Sequence, residues 1–126
     1  MTDHDDLIAR YLAVWNEPDP AARRDLIART WSEGARYLDP ALSAEGQEGV
    51  DAMVRAVHER FPGHRFRRVG AADAHHDRLR FGWELAPEGG GPAVVRGVDF
   101  AVLAADGRLA SVTGFFDAAP GAAAAA

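Results

Sequence analysis

Arg78-Leu79-Arg80-Phe81-Gly82-Trp83-Glu84-Leu85 alternates large apolar side chains at 79, 81, 83 and 85 with polar or small ones between them. That period of two predicts a strand with one buried face. Working upstream, His76-Asp77 reads as a two-residue hairpin turn, which sets His75 against Arg78 and Asp73 against Arg80. The same register gathers Phe66, Gly70, Ala72 and Ala74 beside Leu79, Phe81 and Trp83, an apolar wall with room left by small residues. Downstream, Val94-Val95-Arg96-Gly97-Val98-Asp99-Phe100-Ala101-Val102-Leu103 is the most strand-like stretch of the chain, and an ionisable acid stands in its middle. Its same-face neighbours Val95, Gly97, Ala101 and Leu103 offer no partner. Burial raises the pKa of a carboxylic acid, so Asp99 is expected to hold its proton close to neutral pH. Asp106-Gly107 reads as a two-residue turn, which puts Asp99 opposite Gly114, with space above the glycine, and Arg96 opposite Asp117. The Gly-rich link Glu88–Pro92 tolerates either parity, so counting alone does not decide whether Asp99 shares the Trp83 face.

The period before these strands is helical. Leu7, Ile8, Tyr11, Leu12 and Trp15 form an apolar stripe after a possible cap at Asp3, on a helix ending near Asn16. Asp19-Pro20 is an N-cap followed by proline in the first turn, opening a second helix expected to bury Leu26, Ile27, Thr30 and Trp31. Ala35 to Asp39 reads as a short strand stopped by Pro40, and Ala41 to Glu45 as a loop. A third helix carries Val50, Met53, Val54, Val57 and Phe61 on one face and stops at Pro62-Gly63. Residues 1–117 are expected to form one domain, and 118–126 an Ala-rich disordered tail.

Composition narrows the chemistry. The 126 residues contain no cysteine and no lysine, and the fourteen basic residues are all arginine. Thiolate and Schiff-base chemistry are therefore excluded, and the three serines sit in no nucleophile or phosphate-binding motif. The net charge of -5 argues against nucleic acid. An acidic start and the lack of a long apolar run predict a cytoplasmic protein with no membrane partner. Asp73, His75, His76 and Asp77 are not expected to bind metal, because adjacent strand histidines point to opposite faces. His58 reads as a boundary residue, and Arg65, Arg67, Arg78 and Arg80 as a solvated outer face paired with Asp73 and Glu84.

Two or three helices followed by a four-stranded antiparallel meander, with one short strand inserted between helices, resemble the nuclear transport factor 2-like superfamily, and Arg10-Tyr11-Leu12-Ala13-Val14-Trp15-Asn16, Leu38-Asp39-Pro40 and Gly97-Val98-Asp99-Phe100 stand in this order on those elements. Within the superfamily these segments resemble the branch of SnoaL-like polyketide cyclases and ketosteroid isomerases. The resemblance covers Leu7 to Asp117. It implies an α+β fold, a cone-shaped domain in which three N-terminal helices pack on a curved, mainly antiparallel sheet (NTF2-like, cystatin-like). For the steroid enzymes it implies an oxyanion held by a helix-1 tyrosine and a strand-borne protonated aspartic acid, with an Asp beside a Pro moving the proton. Carried over, these roles fall on Tyr11, Asp99 and Asp39. In SnoaL-like cyclases the acid matching Asp99 is itself the acid/base. Only Tyr11 and Tyr37 are tyrosines, fewer than the steroid enzymes use. Arg96 stands three residues before Asp99 and Gly114 replaces a second acid, which disfavours epoxide hydrolysis.

The implied pocket would be lined by Trp15, Trp31, Tyr37, Met53, Val57, Phe66, Phe81, Trp83, Gly114 and Phe116. It would hold a small apolar, carbonyl-containing ligand with no cofactor and no metal, for isomerisation, aldol-type cyclisation or dehydration. Plainer readings stand beside these: Tyr11 as a core tyrosine, Asp39 as a turn residue like Asp19, and Asp99 as a buried acid bonded to backbone or to Tyr11. A non-catalytic binding domain and a dimerisation module with a vestigial cavity are the rival functions. Val94, Val98, Phe100 and Val102 make the other sheet face apolar too, so a homodimer through that face is expected.

Overall fold

The computed structural model of the protein describes residues 3–117. Its elements run α1 (Asp3–Asn16), α2 (Pro20–Thr30), β1 (Trp31–Leu38), β2 (Ser43–Glu45), α3 (Gly46–Arg60), β3 (His64–His75), β4 (Arg78–Pro87), β5 (Val95–Leu103) and β6 (Leu109–Phe116). Three helices pack on one face of a curved six-stranded sheet of order β2-β1-β6-β5-β4-β3. Among the described residues only the β1–β6 pair is parallel. The core lies between helices and sheet and gathers Leu7, Ile8, Tyr11 and Val14 of α1, Val50, Met53, Val54 and Val57 of α3, and Leu79, Phe81, Trp83 and Leu85 of β4, with α3 packed against β1. The expected tail, 118–126, lies outside the described residues. No described helix is long and apolar enough to cross a membrane.

The α2 start follows the sequence: Asp19 accepts the Ala22 amide at 2.8 Å and Pro20 occupies the first turn. Its end does not. Trp31 is already extended and opens β1, so the strand starts four residues before Ala35. Ser43–Glu45, read as loop, pairs with β1 as a three-residue strand too short to show a period. The second helix also buries a residue the apolar pattern omits. Arg23 is 1% exposed, donating to Asp51 Oδ1 at 2.6 Å and to the Glu17 carbonyl at 2.9 Å, which ties α2 to α3.

The His76-Asp77 turn and the Asp73–Arg80 and His75–Arg78 pairs are as expected. Beyond them Gly70, at φ +74°, opens a bulge in which residues 70–72 oppose Phe81 alone. Phe66 thereby pairs with Leu85. A slip of two keeps its side chain on the interior face. Gly70 and Ala74 are exposed and do not join the apolar wall. Asp99 does pair with Gly114, but the turn that sets this differs from the expected one. Gly107 (φ +86°) closes a turn back to Ala104, and Ala104 bonds the Arg108 carbonyl, leaving a three-residue loop. A second irregularity between Val102 and Leu103 restores the register.

On β4 and β5, Phe81 pairs with Asp99 and Trp83 with Gly97, so Asp99 shares the Trp83 face. The outer face leaves Phe100 and Phe115 exposed among ion pairs of Glu84 with Arg67 (2.6 Å) and Arg96 (3.4 Å), and of Arg80 with Asp73 (3.0 Å).

Gly97 is where the indole of Trp83 crosses β5. A Cβ there would stand 2.5 Å from Trp83 Cζ2 and 2.5 Å from the Phe115 carbonyl oxygen. Gly97→Ala should therefore cost about 1–3 kcal/mol in denaturant unfolding, the range for overpacking a filled core. Wild-type stability in that variant would show that the ring and strand are not in contact.

Candidate functional site

Asp99 is 3% exposed, and its partners come from other elements. Tyr11, on the buried stripe of α1, donates its hydroxyl to Oδ2 at 2.5 Å. Trp83, next but one to Phe81 on β4, donates its indole N–H to Oδ1 at 2.9 Å. The Tyr11 ring is itself fixed edge-on against Phe81, with centroids 5.4 Å apart. An indole N–H can only donate, so Oδ1 is an acceptor in either charge state. Burial is the main influence on the Asp99 carboxyl and raises its pKa. The Tyr11 and Trp83 bonds oppose it, the charge of Asp39 adds to it, and the outcome is about 6. At pH 7 such a group is ionised by roughly ten to one. Burial first, and then the Asp99 charge, push the Tyr11 hydroxyl well above its usual range, so it remains a donor.

Asp39 stands in the turn after β1, half-buried. Its Oδ1 accepts the amides of Ala41 and Leu42, both at 2.7 Å, and its Oδ2 accepts the Tyr37 hydroxyl at 2.6 Å. The side chains meet over β6. The point where a Cβ on Gly114 would stand is 2.9 Å from Asp99 Oδ1, 3.1 Å from Asp39 Cβ and 3.2 Å from Tyr37 Oη. The expected space above Gly114 is thus already filled by these groups. The glycine is needed for them to approach one another.

A cavity of about 670 Å³ opens beside this cluster. Of the expected residues, Tyr11, Trp15, Tyr37, Val57, Phe66, Trp83, Asp99 and Phe116 line it. Asp39 and Gly114 stand behind that wall, and Trp31, Met53 and Phe81 belong to the packed core. Leu12, Ala41, Leu42, Ala56, Phe61, Leu85 and Val95 complete the apolar lining, with Glu59 and Arg60 in the last turn of α3. Leu12 and Leu85 were legible as apolar-face residues next to expected ones, whereas Ala41 and Leu42 carry no periodic signal. Phe66 is held by Asn16, whose amide donates to the Phe66 carbonyl at 3.0 Å and accepts its N–H at 2.8 Å. His58 lies outside the cavity lining, its Nε2 2.7 Å from the Trp15 carbonyl.

No group of three or more metal-ligating side chains occurs among the described residues. The opposed-face argument for His75 and His76 nevertheless fails. His76 adopts φ +51°, and the two Nδ1 atoms lie 3.0 Å apart in the turn.

The sequence profile of the SnoaL-like domain matches residues 8–112. No curated protein matches the chain. Among solved structures, a candidate isomerase of the SnoaL-like family from Agrobacterium tumefaciens is 42% identical, with a TM-score of 0.88 over 94% of this chain and 100% of that one. A candidate SnoaL-like polyketide cyclase from Jannaschia sp. CCS1 superposes with a TM-score of 0.67 at 20% identity, over 93% of this chain and 90% of that one. An NTF2-like protein of unknown function from Exiguobacterium sp. 255-15 gives 0.68 at 20% identity, over 88% and 98%. The latter two share the fold.

The Trp83 indole N–H reports on Asp99 directly. Its proton and nitrogen shifts should titrate with a midpoint near pH 6, and Asp99→Asn should abolish the titration. Because the folded-state pKa lies above the ordinary 3.8, the stability tied to this proton is complete below about pH 4 and lost as pH rises through 6. Wild type should lose about 3 kcal/mol more than Asp99→Asn between pH 4 and 8. Parallel stability curves for the two proteins would show that Asp99 has an ordinary proton affinity.

Proposed function

Because the chain belongs to the SnoaL-like domain family, we propose that it is an acid/base enzyme of the isomerase or cyclase kind, acting on an apolar carbonyl compound. The observation that carries this reading is a carboxylate of raised proton affinity set in the wall of an aromatic cavity. Each Asp99 oxygen accepts one bond from the protein and keeps acceptor capacity for a substrate C–H. In the proposed step the carboxylate takes a proton from the carbon next to the carbonyl, giving an enolate and a neutral Asp99. Isomerisation returns that proton to another carbon. In aldol-type closure the enolate attacks a second carbonyl and the new alkoxide takes the proton back. Both routes leave the protein as it began.

The division of labour then follows the SnoaL-like alternative. Asp99 moves the proton, Tyr11 donates to it or to the enolate oxygen, and Asp39 stays behind Tyr37. Donors held in a dry site of this kind contribute about 3–4 kcal/mol to a transition state. A second reading is favoured by a specific observation: both Asp99 oxygens are already bonded within the protein, as they would be in a cavity that only binds. The cavity's volume weighs against a vestigial one. A second copy would pair through the outer face carrying Phe100 and Phe115.

Solvent deuterium exchange into a panel of apolar ketones tests the step without knowledge of the natural substrate. Wild type should exchange the α-hydrogens of at least one member, and Asp99→Asn should lower that rate by about 10²–10⁴-fold. Tyr11→Phe should lower it less and shift its pH dependence. Exchange undiminished in Asp99→Asn would overturn the assignment. Saturable binding with no exchange by wild type would select the binding reading.

A further inference from the structure

Asp39 does not line the cavity, yet the three groups that its carboxylate bonds all belong to residues that do. Tyr37 is held at 2.6 Å through its hydroxyl, and Ala41 and Leu42 at 2.7 Å through their amides. A single half-buried side chain thus fixes a strand residue and the following turn into one continuous wall. Its Cβ, the Tyr37 hydroxyl and Asp99 Oδ1 all lie within 3.2 Å of the point where a Gly114 side chain would begin. We propose that Asp39 is a positioning residue: it shapes the cavity wall facing Asp99 by clamping Tyr37, Ala41 and Leu42, and its charge acts on Asp99 across Gly114. This deepens the acid/base reading of the site and rests on it.

The bonds fix more than position. A carboxylate only accepts, so Tyr37 must turn its proton toward Asp39 and present oxygen lone pairs to the cavity and to Asp99. Burial, then the charges of Asp99 and Asp39 and the bond to Asp39, raise the Tyr37 pKa far above its usual value, so this hydroxyl stays neutral. The like charge of Asp39 is also one of the influences that raise Asp99, after burial. The other titratable groups facing Asp99 are Tyr11 of α1, Tyr37 of β1, and Glu59 and Arg60, which line the same cavity from α3. From β4 and β6 come Trp83, Gly114 and Phe116, none of which titrates.

Two substitutions separate wall from charge. In Asp39→Asn the amide oxygen can still accept from Ala41 and Leu42 while the NH2 donates to Tyr37, so the wall persists, the charge goes and the Tyr37 proton is freed to turn toward Asp99, both of which lower the Asp99 midpoint. Asp39→Ala loses both. The readouts are the Trp83 indole titration and the affinity for 8-anilinonaphthalene-1-sulfonate as an apolar cavity probe. Both variants should titrate at lower pH than wild type, by roughly half a unit, the size of a screened like-charge contact. The probe affinity should stay within about twofold in Asp39→Asn and fall about tenfold in Asp39→Ala. A wild-type midpoint in Asp39→Asn overturns the proposal, and so does undiminished probe binding in a folded Asp39→Ala. If the alanine variant does not fold, the midpoint in Asp39→Asn decides. Neither readout needs turnover, so a failed acid/base reading, seen as absent ketone exchange, is distinguishable from failure of this one.

Discussion

A carboxylate removed from water must find donors or surrender its charge, and most of this domain is arranged around how Asp99 meets that condition. Its own strand supplies no partner, so the bonds come from α1 and β4, elements far apart in sequence. Each partner imposes a further requirement. The Tyr11 hydroxyl reaches Oδ2 only if α1 lies across the sheet with its ring on Phe81. The Trp83 N–H reaches Oδ1 only because Gly97 lets the indole lie against β5. Gly114 then admits the Asp99 oxygen against the turn after β1. Helix placement, two glycines and the cavity floor thus answer to one group.

The sequence showed these residues more clearly than their bonds. Alternation in 78–85 located β4, and the Asp19-Pro20 cap located α2, because each is a local rule with a local cause. The pairing of Asp99 with Gly114 was also legible, although it arises from a three-residue loop compensated by a second irregularity. What lay outside reach depends on tertiary contact. Trp31 belongs to a strand because its ring fills the space beside Tyr11 and Tyr37, with centroids 5.7 and 6.4 Å away, and no helical spacing reveals that. Arg23 is an arginine by type and a core residue by position, made tolerable by Asp51. The two bonds of Asp39 to following amides are a local turn motif. Its bond to Tyr37, two residues earlier, decides which part of the cavity that turn builds.

The cavity is apolar along most of its lining and chemically differentiated in one quarter. Phe66, held in place by the Asn16 clamp on its backbone, faces Trp15 at 5.1 Å and Trp83 at 5.6 Å between ring centroids. Those rings form a surface complementary to a flat or greasy ligand. Adjoining them, with Trp83 bonded to Asp99 and Trp15 packed on Tyr37, the residues Asp99, Tyr11 and Tyr37 supply acceptors and donors whose directions are fixed by their partners. Orientation inside such a space would come from few polar contacts, so selectivity among ligands would rest largely on shape.

The position of β6 has a consequence for how the chain acquires its structure. This last strand lies in the middle of the sheet, parallel to β1 on one side and antiparallel to β5 on the other. Until it is present, β1–β2 and β5–β4–β3 are two separate ribbons with unsatisfied edges. Emerging from the ribosome, the N-terminal helices therefore have no complete surface on which to settle, and closure must await residue 116. The folding barrier would be dominated by joining the two ribbons, a late and non-local event, whatever the speed at which the helices form.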